Sequence, residues 1–70
     1  MNRNILYLNT LLAKEIAKKT EATALFEILL DSSDSDTISI LEETLSDLYA
    51  ADAKINILKY MLENKSKNEN

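Results

Sequence analysis

The side chains able to do chemistry in this chain are carboxylates, lysines, serines and tyrosines. There is no histidine and no cysteine, which removes the commonest general base, the commonest zinc ligand, thiolate chemistry and disulfides. Glycine and proline are also absent, so no glycine-rich loop can cradle a phosphate. Catalysis would have to rest on carboxylates, Lys, Ser or Tyr held in a pocket. The carboxylates instead crowd around one loop, with no spacing that suggests an acid/base pair. The expectation is a non-enzymatic protein with no cofactor and no metal centre.

The placement of charge says more than its total of −4. Residues 20–53 hold nine acids and no lysine or arginine: Glu21, Glu27, Asp31, Asp34, Asp36, Glu42, Glu43, Asp47 and Asp52. The remaining segments hold all eight bases and only Glu15, Glu63 and Glu69. One acidic surface, Asp31, Asp34 and Asp36 with Glu42, Glu43 and Asp47, is the candidate site for a partner protein with a basic surface. Tyr7, Tyr49 and Tyr60 are further candidates for protein contact, since tyrosine joins a large apolar body to a polar tip.

Within the acidic stretch, Asp31-Ser32-Ser33-Asp34-Ser35-Asp36-Thr37-Ile38-Ser39-Ile40-Leu41-Glu42 resembles the twelve-residue calcium loop of the EF-hand family. Asp31, Ser33 and Ser35 stand at the first three ligand positions and Glu42 at that of the bidentate glutamate. Thr37 would offer its carbonyl, and Ile38 matches the central apolar position. The resemblance implies calcium binding. Asp36, however, stands where the family has a glycine of positive φ. The positions after the last ligand are Glu43, Ser46 and Asp47, where the family buries apolar residues. A Ser/Asp turn with a helix cap accounts for the same residues, so calcium remains an alternative.

The elements that carry these groups are helical. On either side of Asp31–Thr37 lie long segments of good helix formers, whereas Ser and Asp compete for backbone hydrogen bonds and favour turns. The expected organisation is all-α: a helix over 4–30, an acidic loop over 31–36, a helix over 37–64 and a frayed polar tail over 65–70. Ser39-Ile40-Leu41-Glu42 reads as a capping box. Helix two carries Leu41, Leu48, Ile55 and Leu62 at seven-residue spacing, with Thr44, Ala51 and Leu58 between them, which is an a/d seam. Helix one carries a broad stripe of Ile5, Leu8, Leu12, Ile16, Phe26, Leu29 and Leu30. It also carries a ridge of mostly small residues: Leu6, Thr10, Ala13, Ala17, Thr20, Ala24 and Ile28.

Two helices of about 40 Å each joined by a short loop form an antiparallel hairpin. Such a hairpin gives each helix one neighbour, yet helix one shows two apolar faces. An antiparallel homodimer, a four-helix bundle, would cover the surplus, with Leu8, Leu12, Ala13, Ala17, Ala24, Phe26, Leu41, Leu48, Ile55 and Leu62 as its core. Antiparallel order also sets the acidic loop end of one copy beside the basic end of the other. In length, heptads and acidic turn the plan resembles the Rop family of plasmid RNA-binding proteins. That resemblance implies a nucleic-acid alternative, for which Lys14, Lys18, Lys54 and Lys59 would supply phosphate contacts. A pI near 4.6 makes nucleic acid the weaker reading and a protein partner the stronger one.

No stretch approaches the roughly 20 apolar residues of a membrane span, since Glu27 interrupts even Leu25–Leu30. Asn9, Thr10, Lys14 and Glu15 break the apolar run that a signal peptide would need, so a cytoplasmic location is expected. Asn, Lys, Ile, Tyr and Phe total 25 residues against 8 for Gly, Ala, Arg and Pro. That bias suits an AT-rich genome, such as that of a phage or plasmid. The reading that collects these properties is a small regulator, inhibitor or assembly factor.

Overall fold

A computed structural model describes residues 3–32 and 34–68 of the chain. Two α-helices, α1 over Arg3–Leu30 and α2 over Thr37–Asn68, pack against each other as a hairpin with dimensions of 55 × 15 × 13 Å. The helices run this far because Ala, Leu, Lys and Glu dominate and no glycine or proline interrupts them. For the same reason α2 continues four residues past the expected boundary at 64, through a Lys/Asn segment with no stop signal. Glu69 and Asn70, the end of the expected tail, lie outside the described residues, as does Ser33 of the calcium reading.

The connection is closed by serine and threonine. At the end of α1 the N–H groups of Asp31 and Ser32 donate to the carbonyls of Ile28 and Leu29 at 3.2 and 3.0 Å, which tightens the last turn. Ser32 Oγ then accepts from the Asp34 N–H at 3.4 Å and from Thr37 Oγ1 at 3.2 Å. The Thr37 N–H donates to the Asp34 carbonyl at 3.2 Å, and the Ile40 N–H to the Asp36 carbonyl at 3.3 Å. Asp36 therefore occupies the N-cap position of α2. The Ser39–Glu42 capping box is corrected by this arrangement, because Ser39 already lies inside the first turn. Thr37, which the turn ties down, is itself buried.

The seam between the helices follows one heptad on each. On α2 it is the expected series: Leu41, Leu48, Leu58 and Leu62 are half-buried, and Thr44, Ala51 and Ile55 are buried. On α1 it runs through Ile5, Leu8, Leu12, Glu15, Ala22, Phe26 and Leu29, none of which is exposed. Ile16 and Leu30, expected in this stripe, are exposed, because the heptad passes instead through Glu15 and Ala22. Lys19 marks the register by reaching across to Asp52 at 2.7 Å. Both side chains of that pair are about half exposed, which limits it to roughly 0.2–1 kcal/mol.

The hydrophobic core is thin. Ala51 and Ile55, at 3% and 4% exposure, are the buried apolar residues among those described. Removing a buried Ile side chain to Ala costs about 2–5 kcal/mol, as much as a domain this small holds in total. Ile55→Ala should therefore abolish the cooperative melt in far-UV circular dichroism at 25 °C. A variant that still melts cooperatively near the parent midpoint would show that the seam is not the source of stability.

Candidate functional site

The six acids of the expected partner surface are all exposed, but they do not share one face. Asp31, Asp34 and Asp36 sit at the tip of the hairpin. Glu43 and Asp47 lie on one side of α2, and Glu42 lies toward the other, as the turn of about 100° per residue requires. Asp52 is not at the tip, because its bond to Lys19 holds it near mid-hairpin. The acidic pole is thus the segment 20–47, which contains no base.

Half of the calcium-loop stretch is helix, since Thr37–Glu42 form the first turns of α2. No described residue has positive φ, so Asp36 does not make the sharp sixth-position turn. Among the described residues no group of three acidic side chains is arranged to hold a metal ion.

On the side of the hairpin that carries Asp47, the two helices enclose a groove of about 380 Å³. It exists because the seam has small residues at this height: Ala22 from α1, and Thr44 and Ala51 from α2. Its rim is charged, with Lys18 and Glu21 on α1 and Asp47 and Lys54 on α2. Glu15 lies at its base, with a side chain only 10% exposed. Lys18 Nζ donates to Glu15 Oε2 at 3.3 Å, while the buried Oε1 makes no hydrogen bond among the described residues. Thr44 needs nothing from Glu15, because its hydroxyl donates to the Ile40 carbonyl at 2.8 Å. A hydrophobicity pattern passes over Glu15. Its heptad spacing from Leu8, Leu12, Ala22 and Phe26 is the signal that would have placed it in the seam.

The four lysines of the nucleic-acid alternative do not form one patch. Lys18 and Lys54 share the groove, with Glu15, Glu21 and Asp47 interleaved. Lys14 lies one turn before Lys18, but Lys59 lies five residues beyond Lys54, about 140° around α2. At the open end of the same side, Tyr7 and Tyr60 line a second groove of about 560 Å³, together with Leu8 and Met61.

The candidate dimer-core residues divide into two sets. Leu8, Leu12, Phe26, Leu41, Leu48, Ile55 and Leu62 belong to the seam within one hairpin. Ala13, Ala17 and Ala24 lie on the far side of α1, where the ridge from Leu6 to Ala24 is exposed; Ile28, also exposed, falls instead on the line of Tyr7, Lys14 and Glu21 toward the grooved side. The ridge threonines return their hydroxyls to the helix, Thr10 to the Leu6 carbonyl at 2.9 Å and Thr20 to that of Ile16 at 3.0 Å. The ridge is accordingly less polar than its sequence.

An unpartnered buried carboxylate oxygen costs about 1–3 kcal/mol, and apolar replacement of such groups is commonly neutral or stabilising. Glu15→Leu should raise the thermal midpoint at fixed protein concentration by about 4–8 °C per kcal/mol gained; a lower midpoint would show Glu15 to be held favourably. Titration with millimolar calcium should leave the amide shifts of Asp31–Glu42 in place, and saturable shifts there would restore the metal reading. Compared with family models, with curated proteins and with solved structures, the chain matches none.

Proposed function

We propose that the chain is a non-enzymatic protein-interaction module of the cytoplasm, a regulator, inhibitor or assembly factor. In this reading it works as an antiparallel helical-hairpin dimer, a four-helix bundle, and its acidic end binds a basic protein surface. The observation that carries the reading is the distribution of apolar surface. Among the described residues fourteen large apolar side chains are 42–78% exposed, against two apolar residues buried in the core. A surface of that kind, edged by charge, is suited to being covered by other polypeptide. The carboxylates Asp31, Asp34, Asp36, Glu42, Glu43 and Asp47 supply a field that draws a basic surface toward the tip. No helix among the described residues is long and apolar enough to cross a membrane.

The test is crosslinking in the source cell, followed by identification of the captured protein and measurement of its affinity. Replacing the six acids by Asn or Gln should weaken that affinity by on the order of tenfold or more at low salt and leave the helical circular dichroism unchanged. Equal affinity for the neutralised chain would remove the acidic end from the interaction.

A further inference from the structure

We propose that the grooved side of the hairpin, and not the alanine ridge of α1, receives a second copy of the chain. The second copy lies antiparallel, about a two-fold axis crossing α1 near Lys18 and α2 near Ala50. The inference rests on reading the chain as a self-associating module and gives that association a face and a register.

An antiparallel two-fold sets each residue against one equally far beyond the axis on the same side of the same helix. On the grooved side this operation pairs unlike charges. Lys14 and Glu21 are seven residues apart on one line of α1, so each meets the other's counterpart in the second copy. Asp47 and Lys54 do the same on α2. The operation also pairs apolar with apolar: Leu11 with Leu25, Tyr7 with Ile28, and Ile40 with Met61, all exposed in the single hairpin. The midpoints of these pairs fall close to Lys18 on α1 and Ala50 on α2. Lys18 and Ala50 both line the groove between the helices, so the two points stand at nearly the same height. A single axis therefore satisfies both helices.

Several features of this side agree with that register, although Glu43 falls against Ile57 of the second copy. Ala50, at the axis, is small enough for close approach of the two α2 helices. Ile28 and Ile40 of the second copy face the open-end groove between Tyr7 and Met61. Lys18 falls on the axis beside its own counterpart, one turn from Glu15, the groove residue whose Oε1 has no hydrogen-bond partner among the described residues. On the opposite side the same register sets Leu45 against Asn56, Tyr49 against Asp52 and Ile38 against Glu63, apolar against polar, although Leu6 meets Leu30. Parallel order fails too, because it sets Lys14 against Lys14 and Asp47 against Asp47, like charges that repel.

The experiment uses two full-length variants and a mixture of them. One carries Glu21→Lys and Asp47→Lys, and the other carries Lys14→Glu and Lys54→Glu. By native mass spectrometry and light scattering at micromolar concentration, the parent should be a dimer. Each variant alone should dimerise at least about tenfold more weakly, and an equimolar mixture should restore a one-to-one heterodimer. A monomeric parent, variants that dimerise like the parent, or a mixture that restores nothing would each overturn the inference. Where a variant alone loses helix, recovery of circular dichroism on mixing reads the same result. As a second measurement, oxidation should link Ala50→Cys chains to each other and leave Ala17→Cys chains unlinked, and the reverse pattern would place the interface on the ridge. Asp31→Asn, Asp34→Asn and Asp36→Asn together leave this face untouched, so the two readings fail separately. A dimer that no longer needs those acids for its partner refutes the acidic-end reading, and a monomer that still captures its partner refutes this one.

Discussion

Two helices packed side by side bury only the stripe that each turns toward the other, and here that stripe is one heptad wide. The stability of the chain, the placement of its charges and the surfaces left over all descend from that limit. A third or fourth helix would let Leu25, Ile40 or Tyr49 enter a core. With one neighbour each, α1 and α2 leave those side chains exposed.

Within the seam the mid-hairpin layers use smaller or more polar residues than the ends, although they hold the most buried side chains. Phe26, Leu29 and Leu41 pack near the tip and Ile5, Leu8, Leu58 and Leu62 near the open end, whereas Glu15, Ala22, Thr44 and Ala51 meet between them. Small residues there open the groove, and a buried carboxylate there is poorly satisfied. Layers of this kind cost stability but reject alternative registers, because a slip would bring Glu15 against Leu48 or Leu58. The one cross-helix ion pair among the described residues, Lys19 with Asp52, lies beside them.

Much of this was legible in the residues, though unevenly. The seam of α2 could be read directly, because Leu41, Thr44, Leu48, Ala51, Ile55, Leu58 and Leu62 keep one period without interruption. On α1 the same period passes through Glu15, Lys19 and Ala22, where an apolar pattern goes blank, and Ile16 and Leu30 draw the eye to the wrong side. The loop was legible as a loop but its cap was not. Every Ser, Thr and Asp from 31 to 39 can cap a helix, and burial of Thr37 with its bond to Ser32 selects Asp36. The groove was hidden for a different reason. Lys18 and Lys54 are far apart in sequence, and only the cross-helix register brings them beside Glu21 and Asp47.

The connection between the helices also has a kinetic meaning. Lys19 and Asp52, bonded across the seam, stand 33 residues apart. Contacts nearer the tip close shorter loops, and those nearer the open end close longer ones. Loop closure grows costlier with length, so the contacts beside Ser32 and Thr37 are the least costly to close. They lie in the segment where acids meet no base, whose mutual repulsion salt screens.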